Sequence, residues 1–135
     1  MTVIFLLAVI AFGIVVMMLI GWLGKKQFGP HGQKYFQEQW IELLTRVRTP
    51  EGMVLAVIDA DKLLDEALRR KHLKGKTTGE RLVAAQRMLS DNDSVWYAHK
   101  LRNRLVHEPN AKLKKREAQN ALAGFRTGLK DLGML

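Results

Sequence analysis

The chain opens on an unbroken apolar run and then changes character. Thr2 to Leu23 reads TVIFLLAVIAFGIVVMMLIGWL, without a charge or a proline. At 1.5 Å per residue its 22 residues reach about 33 Å, against a hydrocarbon core of about 30 Å. The run predicts a transmembrane helix. From Lys25 onward the pattern turns amphipathic. KKQFGPHGQK is a short kinked tether, and from Gln33 to Arg48 the residues Phe36, Trp40, Leu43, Leu44 and Val47 recur at helical spacing. Thr49-Pro50-Glu51 is a helix start, with an N-cap, a first-position proline and an acid in the first turn. It opens a helix to about Lys71 that carries Met53, Val54, Val57, Ala60, Leu63, Leu64, Ala67 and Leu68. Thr77 and Glu80 have capping-box spacing ahead of Leu82, Val83, Ala85, Met88 and Leu89. Asp91 to Ser94 is a polar break before a helix stopped by Pro109, in which Val95, Tyr97, Ala98, Leu101, Leu105 and Val106 are expected to face other helices. Ala118, Ala121, Leu122, Phe125, Leu129 and Leu132 mark a last helix ending near Gly133. The expected fold is all-α, an N-terminal transmembrane helix (1–24), a juxtamembrane linker (25–33) and an antiparallel bundle of about five helices (34–135).

Charge sharpens this division. All 22 Lys and Arg and all 13 Asp and Glu lie from Lys25 onward, so the soluble part carries the whole net charge of +9. Such a surface attracts anions, either nucleic-acid phosphate or an acidic membrane leaflet. Lys25 and Lys26 follow the span and nothing positive precedes it, which predicts a single-pass cell-membrane protein, N-terminus out, with a cytoplasmic C-terminal domain. Membrane lipid is then one partner. A cleaved signal peptide fits less well, because the N-terminus lacks a basic region and Gly21-Trp22-Leu23-Gly24 is a poor cleavage site. The chain has no cysteine, which excludes disulfides, thiolate metal sites and thiol nucleophiles. Two basic runs, RRKHLKGK with Lys74 and Lys76, and KLKKR with Lys112, Lys114, Lys115 and Arg116, are candidates for RNA or membrane-surface binding.

The candidate chemistry lies in SVWYAHKLRNRLVHEP, Ser94 to Pro109. His99, Asn103 and His107 follow at i, i+4 and i+8 and form a polar stripe, with Arg102 at its edge. For His99 a half-buried structural hydrogen bond is the preferred reading, a supporting role in the site the alternative. Asp61 and Asp65 share a helix face one turn apart. No second cluster of oxygen ligands supports a metal there, so a solvated or ion-paired flank is expected, with a pairing of Asp61 or Asp65 to Arg102 or Arg104 as a further reading.

Arg102-Asn103-x-x-x-His107, late in a small helical bundle, resembles the R-x(4-6)-H signature of the HEPN superfamily, with a helix pattern similar over roughly residues 39–132. The resemblance implies RNA binding and metal-independent endoribonuclease activity, with Arg102, Asn103 and His107 as catalytic residues and no cofactor. Imidazole can take a proton from a ribose 2′-hydroxyl and return one to the leaving 5′-oxygen near neutral pH. Guanidinium offers a planar fork to the phosphate as charge develops on it. The products would be a 2′,3′-cyclic phosphate and a 5′-hydroxyl. The resemblance further implies a homodimer through the Arg102/His107 helix and an antitoxin or regulator as partner. Two other readings stay open: a non-catalytic, membrane-tethered interaction or regulatory module with a structural Arg/Asn/His network, and a membrane assembly factor whose transmembrane helix makes the partner contacts.

Overall fold

Why the amphipathic segments settle where they do is visible in a computed structural model that describes residues 1–25 and 30–135. Among the described residues the chain is all-α, with six helices and no strand. It divides into two units, Met1–Gly32 and Gln33–Leu135. Part of the expected linker, residues 26–29, lies outside the described residues.

In the first unit, α1 (Thr2–Lys25) is apolar on every face. Its segment Thr2–Trp22 has a mean hydropathy of 3.3 and buries none of its residues, so by length and composition it can cross a membrane.

The second unit is built around α3 (Pro50–Arg70), which packs against α4 (Thr78–Ala84), α5 (Asn92–His107) and α6 (Lys115–Asp131), while α5 also packs on α6. Three of these starts are fixed by the side chains the spacing singled out. Thr49 accepts from the Gly52 N–H at 3.0 Å, Thr77 from the Glu80 N–H at 3.2 Å, and Asp91 from the Ser94 N–H at 3.0 Å. The Glu80 carboxylate reaches one residue further back than a capping box requires and accepts from the Lys76 N–H at 2.6 Å. Phe36, Leu64, Leu68, Leu82, Phe125 and Leu129 are wholly buried, each stabilising the fold by roughly 1.5–3 kcal/mol relative to exposure.

The core is tight where α5 meets α6. A Cβ on Gly124 would lie 2.4 Å from the Ser94 carbonyl oxygen, and one on Gly128 would lie 3.2 Å from Val95. Only a side-chain-free position admits the Ser94 backbone this closely.

Three details depart from the sequence pattern, and the end of α3 follows it. The helix α2 (Pro30–Thr45) starts three residues before Gln33, because a proline at the first helical position has no N–H to leave unsatisfied. The helix after Thr77 stops at Ala84, and Met88 and Leu89 follow in turns and loop. Tyr97 and Val106, expected to face other helices, are 41% and 46% exposed, since α5 is covered on one side only. Finally, α3 ends in a Schellman turn in which the Leu73 and His72 N–H groups donate to Leu68 and Arg69 carbonyls, and His72 occupies the left-handed position at φ 56°.

Candidate functional site

The polar stripe of α5 meets α3 at Asp61. This carboxylate is 2% exposed, so its charge needs partners. Two come from α5. His99 Nδ1 lies 2.7 Å from Asp61 Oδ1, and Arg102 Nε lies 3.3 Å from Oδ2. The Arg102 contact is close enough for an ion pair but is not aligned as a hydrogen bond, so this buried N–H has no linear acceptor.

Asn103 closes the network. Arg102 Nη1 donates to Asn103 Oδ1 at 3.0 Å, and Asn103 Nδ2 stands 3.3 Å from His99 Nε2. The roles are mutually fixed: a carboxylate only accepts, so Nδ1 carries the His99 proton, and Nε2 accepts from the Asn103 amide. Trp96 packs edge-on against His99 at 5.9 Å between ring centroids and helps set the ring plane. His99 therefore has both nitrogens engaged at 8% exposure.

His107 stands apart. It is exposed, at the last position of α5, and makes no hydrogen bond or ion pair with the described residues. Five positions along one helix turn a side chain by about 140° from its starting direction, so Arg102 and His107 of one chain leave α5 on different sides. The structure gathers Asp61, His99, Arg102 and Asn103, and leaves His107 outside.

Beside this network lies a cleft of about 570 Å³ between α3 and the 76–81 segment, lined by Asp61, Asp65, Arg69, Lys76, Arg81 and Arg102 among others. Asp65 holds Arg81 at 2.7 Å and Arg69 at 2.9 Å. Arg81, whose side chain is only 7% exposed, also donates to the Gly75 carbonyl at 2.6 Å. Gly75 itself has φ 153°, and a Cβ there would lie 2.8 Å from the Arg81 backbone nitrogen, so the turn that aims this carbonyl requires glycine. The Asp65–Arg81 pair escaped the sequence reading. Arg81 follows a capping box and precedes Leu82 and Val83, and nothing in that pattern tells a buried arginine from a solvated one.

The basic runs are exposed at Lys74, Lys76, Lys112, Lys114, Lys115 and Arg116, and of these Lys76 lines the cleft. Lys115 and Arg116 open α6, where positive charge opposes the helix dipole. Glu117 offsets this. It accepts from the Lys114 N–H and from Arg104, both at 3.0 Å, and these two bonds, the backbone one foremost, hold its carboxyl below the usual range. Among the described residues no cluster of three or more His, Cys, Asp or Glu is placed to hold a metal.

Comparison with protein-family models, with curated proteins and with solved structures finds no match to this chain.

Proposed function

We propose that the chain is a membrane-anchored, HEPN-like protein that binds RNA and cuts it without a metal, held by α1 with its helical domain on the cytoplasmic side of the cell membrane. The observation that carries this reading is Arg102: a guanidinium on a buried carboxylate, 25% exposed at the edge of a cation-rich cleft. A fork held in that way meets a phosphate with little ordering left to do. In the reaction the ribose 2′-oxygen attacks the adjacent phosphorus, the bond to the 5′-oxygen breaks, and a 2′,3′-cyclic phosphate forms. His107 takes the 2′ proton and returns one to the 5′-oxygen, while Arg102 and Asn103 donate to the phosphate oxygens. The divergent directions of Arg102 and His107 on α5 favour a two-fold dimer through this helix, in which His107 of one chain serves with Arg102 of the other.

A second reading is favoured by His99 and His107. With both nitrogens of the one engaged and the other unpartnered, the network can also be purely structural, in a tethered module that binds without cutting.

The full chain in detergent, with EDTA, is incubated with mixed RNA beside His107→Ala and Arg102→Gln. Cleavage with cyclic-phosphate ends that His107→Ala lowers by about 10²–10⁴-fold supports the nuclease. Binding without cleavage in all three proteins selects the tethered module, and absence of binding overturns both RNA readings.

A further inference from the structure

We propose that the cleft between α3 and the 76–81 segment is a phosphate subsite, in which Lys76 and the Arg102 guanidinium hold one phosphodiester of a single-stranded RNA. The inference rests on the RNA-binding reading and adds where the strand runs.

The argument starts from charge. Five cations and three carboxylates line the cleft: Lys62, Arg69, Lys76, Arg81 and Arg102 against Asp61, Asp65 and Glu66, a surplus of two. The carboxylates are engaged. Asp61 faces His99 and Arg102, Asp65 faces Arg69 and Arg81, and Glu66 accepts from Arg70 at 2.5 Å and Tyr35 at 3.1 Å. The cations are not all engaged. The Lys76 ammonium pairs with no carboxylate among the described residues, and Lys62 has only Asp59, at 3.6 Å. Arg102 uses Nη1 on Asn103 and sets Nε beside Asp61 without a linear bond, which leaves Nη2 for a ligand.

Geometry then selects the ligand. Arg81, bonded to both Asp65 and Gly75, ties the loop bearing Lys76 to α3, so Lys76 is presented by an anchored backbone. Its own N–H is held by Glu80 at 2.6 Å. Thr78 adds a hydroxyl to the wall, with no bond to a described residue. About 570 Å³ is within the range of ligand-binding clefts and admits a nucleotide unit rather than a bare ion. A surplus of positive charge, a spare ammonium, a spare guanidinium nitrogen and a hydroxyl are the donors that a phosphodiester accepts from.

The test uses the full chain in a neutral detergent, with a fluorescein-labelled 12-nucleotide single-stranded RNA followed by anisotropy over a range of salt. Wild type is compared with Lys76→Gln and Thr78→Val, and with Lys130→Gln, an exposed position outside the cleft. In parallel, the rise in melting temperature with inorganic phosphate is measured against chloride at equal ionic strength. The expected result is a several-fold loss of RNA affinity in Lys76→Gln, with a salt slope smaller by about one. Thr78→Val should lose a smaller factor and Lys130→Gln almost none. RNA binding that Lys76→Gln weakens no more than Lys130→Gln overturns the subsite and leaves the RNA reading standing. No RNA binding by wild type, with phosphate stabilising it but not Lys76→Gln, overturns the RNA reading and keeps the cleft as an anion site. Neither effect overturns both. Displacement of phosphate by dioctanoyl phosphatidylglycerol but not by RNA assigns the cleft to a lipid headgroup and overturns the proposal.

Discussion

Asp61 is the residue on which the most rests, because it is a buried carboxylate answered by two α5 side chains. Removing it as Asp61→Ala leaves the buried His99 N–H without its acceptor and the partly exposed Arg102 guanidinium without its counter-charge, and the expected loss is about 1–3 kcal/mol in chemical denaturation. Asp61→Asn keeps one acceptor and should lose less. The sequence showed the chemistry of this site only in part. His99, Asn103 and Arg102 were legible as one stripe from their spacing on a helix, and an ion pair between Asp61 and Arg102 was among the pairings open to the acids of α3, whereas the bond from His99 to Asp61, 38 positions apart, has no local signature. Just past the C-terminal end of α3, His72 sits in the left-handed region at φ 56°, a conformation unfavourable by about 1–2 kcal/mol for a residue with a Cβ. His72→Gly is therefore expected to raise stability by about 0.5–1 kcal/mol, seen as a higher denaturation midpoint. Two carboxyls contribute to the response to acid. Ser94 holds Asp91 below its usual range through its hydroxyl and its N–H, and Glu117 is held down at the start of α6. Folded values lowered in this way give stability that is complete above the ordinary carboxylate range and lost as pH falls below about 4.5. Glu117→Gln should make the drop in melting temperature between pH 5 and pH 3 shallower.

At the scale of elements, apolar periodicity and caps carry most of the fold. α3 and α6 have long, continuous apolar faces, and their positions follow from side-chain pattern alone. What periodicity does not encode is how near two axes come. The α5–α6 approach depends on Gly124 facing the Ser94 carbonyl, and a glycine inside an amphipathic run reads as a weak point until its neighbour is known. Gly124→Ala gains helix propensity but must displace that carbonyl, so a net loss of about 1–2 kcal/mol is expected in thermal or chemical unfolding. The exposure of Tyr97 and Val106 was hidden for a related reason: an apolar residue on a helix names a face, and only packing tells whether anything covers it.

For the molecule as a whole, the division between apolar leader and basic domain was the plainest feature of the sequence, since no charge precedes Lys25. Membrane anchoring predicts that the full chain stays with the bilayer after alkaline carbonate or high salt and leaves it only with detergent. A chain without residues 2–22 should be released by salt if anionic lipid alone retains it. The seven-residue α4 has a further consequence for motion. A helix of that length does not persist by itself in water and forms only while docked on its neighbour. Its amides should then exchange with deuterium through a partial opening well below the free energy of global unfolding, while those of α3 and α6 wait for the whole domain. Because Arg81 belongs to α4 and grips Asp65 and Gly75, the same opening would unmake one wall of the cleft. An anion held by Lys76 would be felt as slower exchange in α4, a fingerprint of occupancy readable without any catalysis.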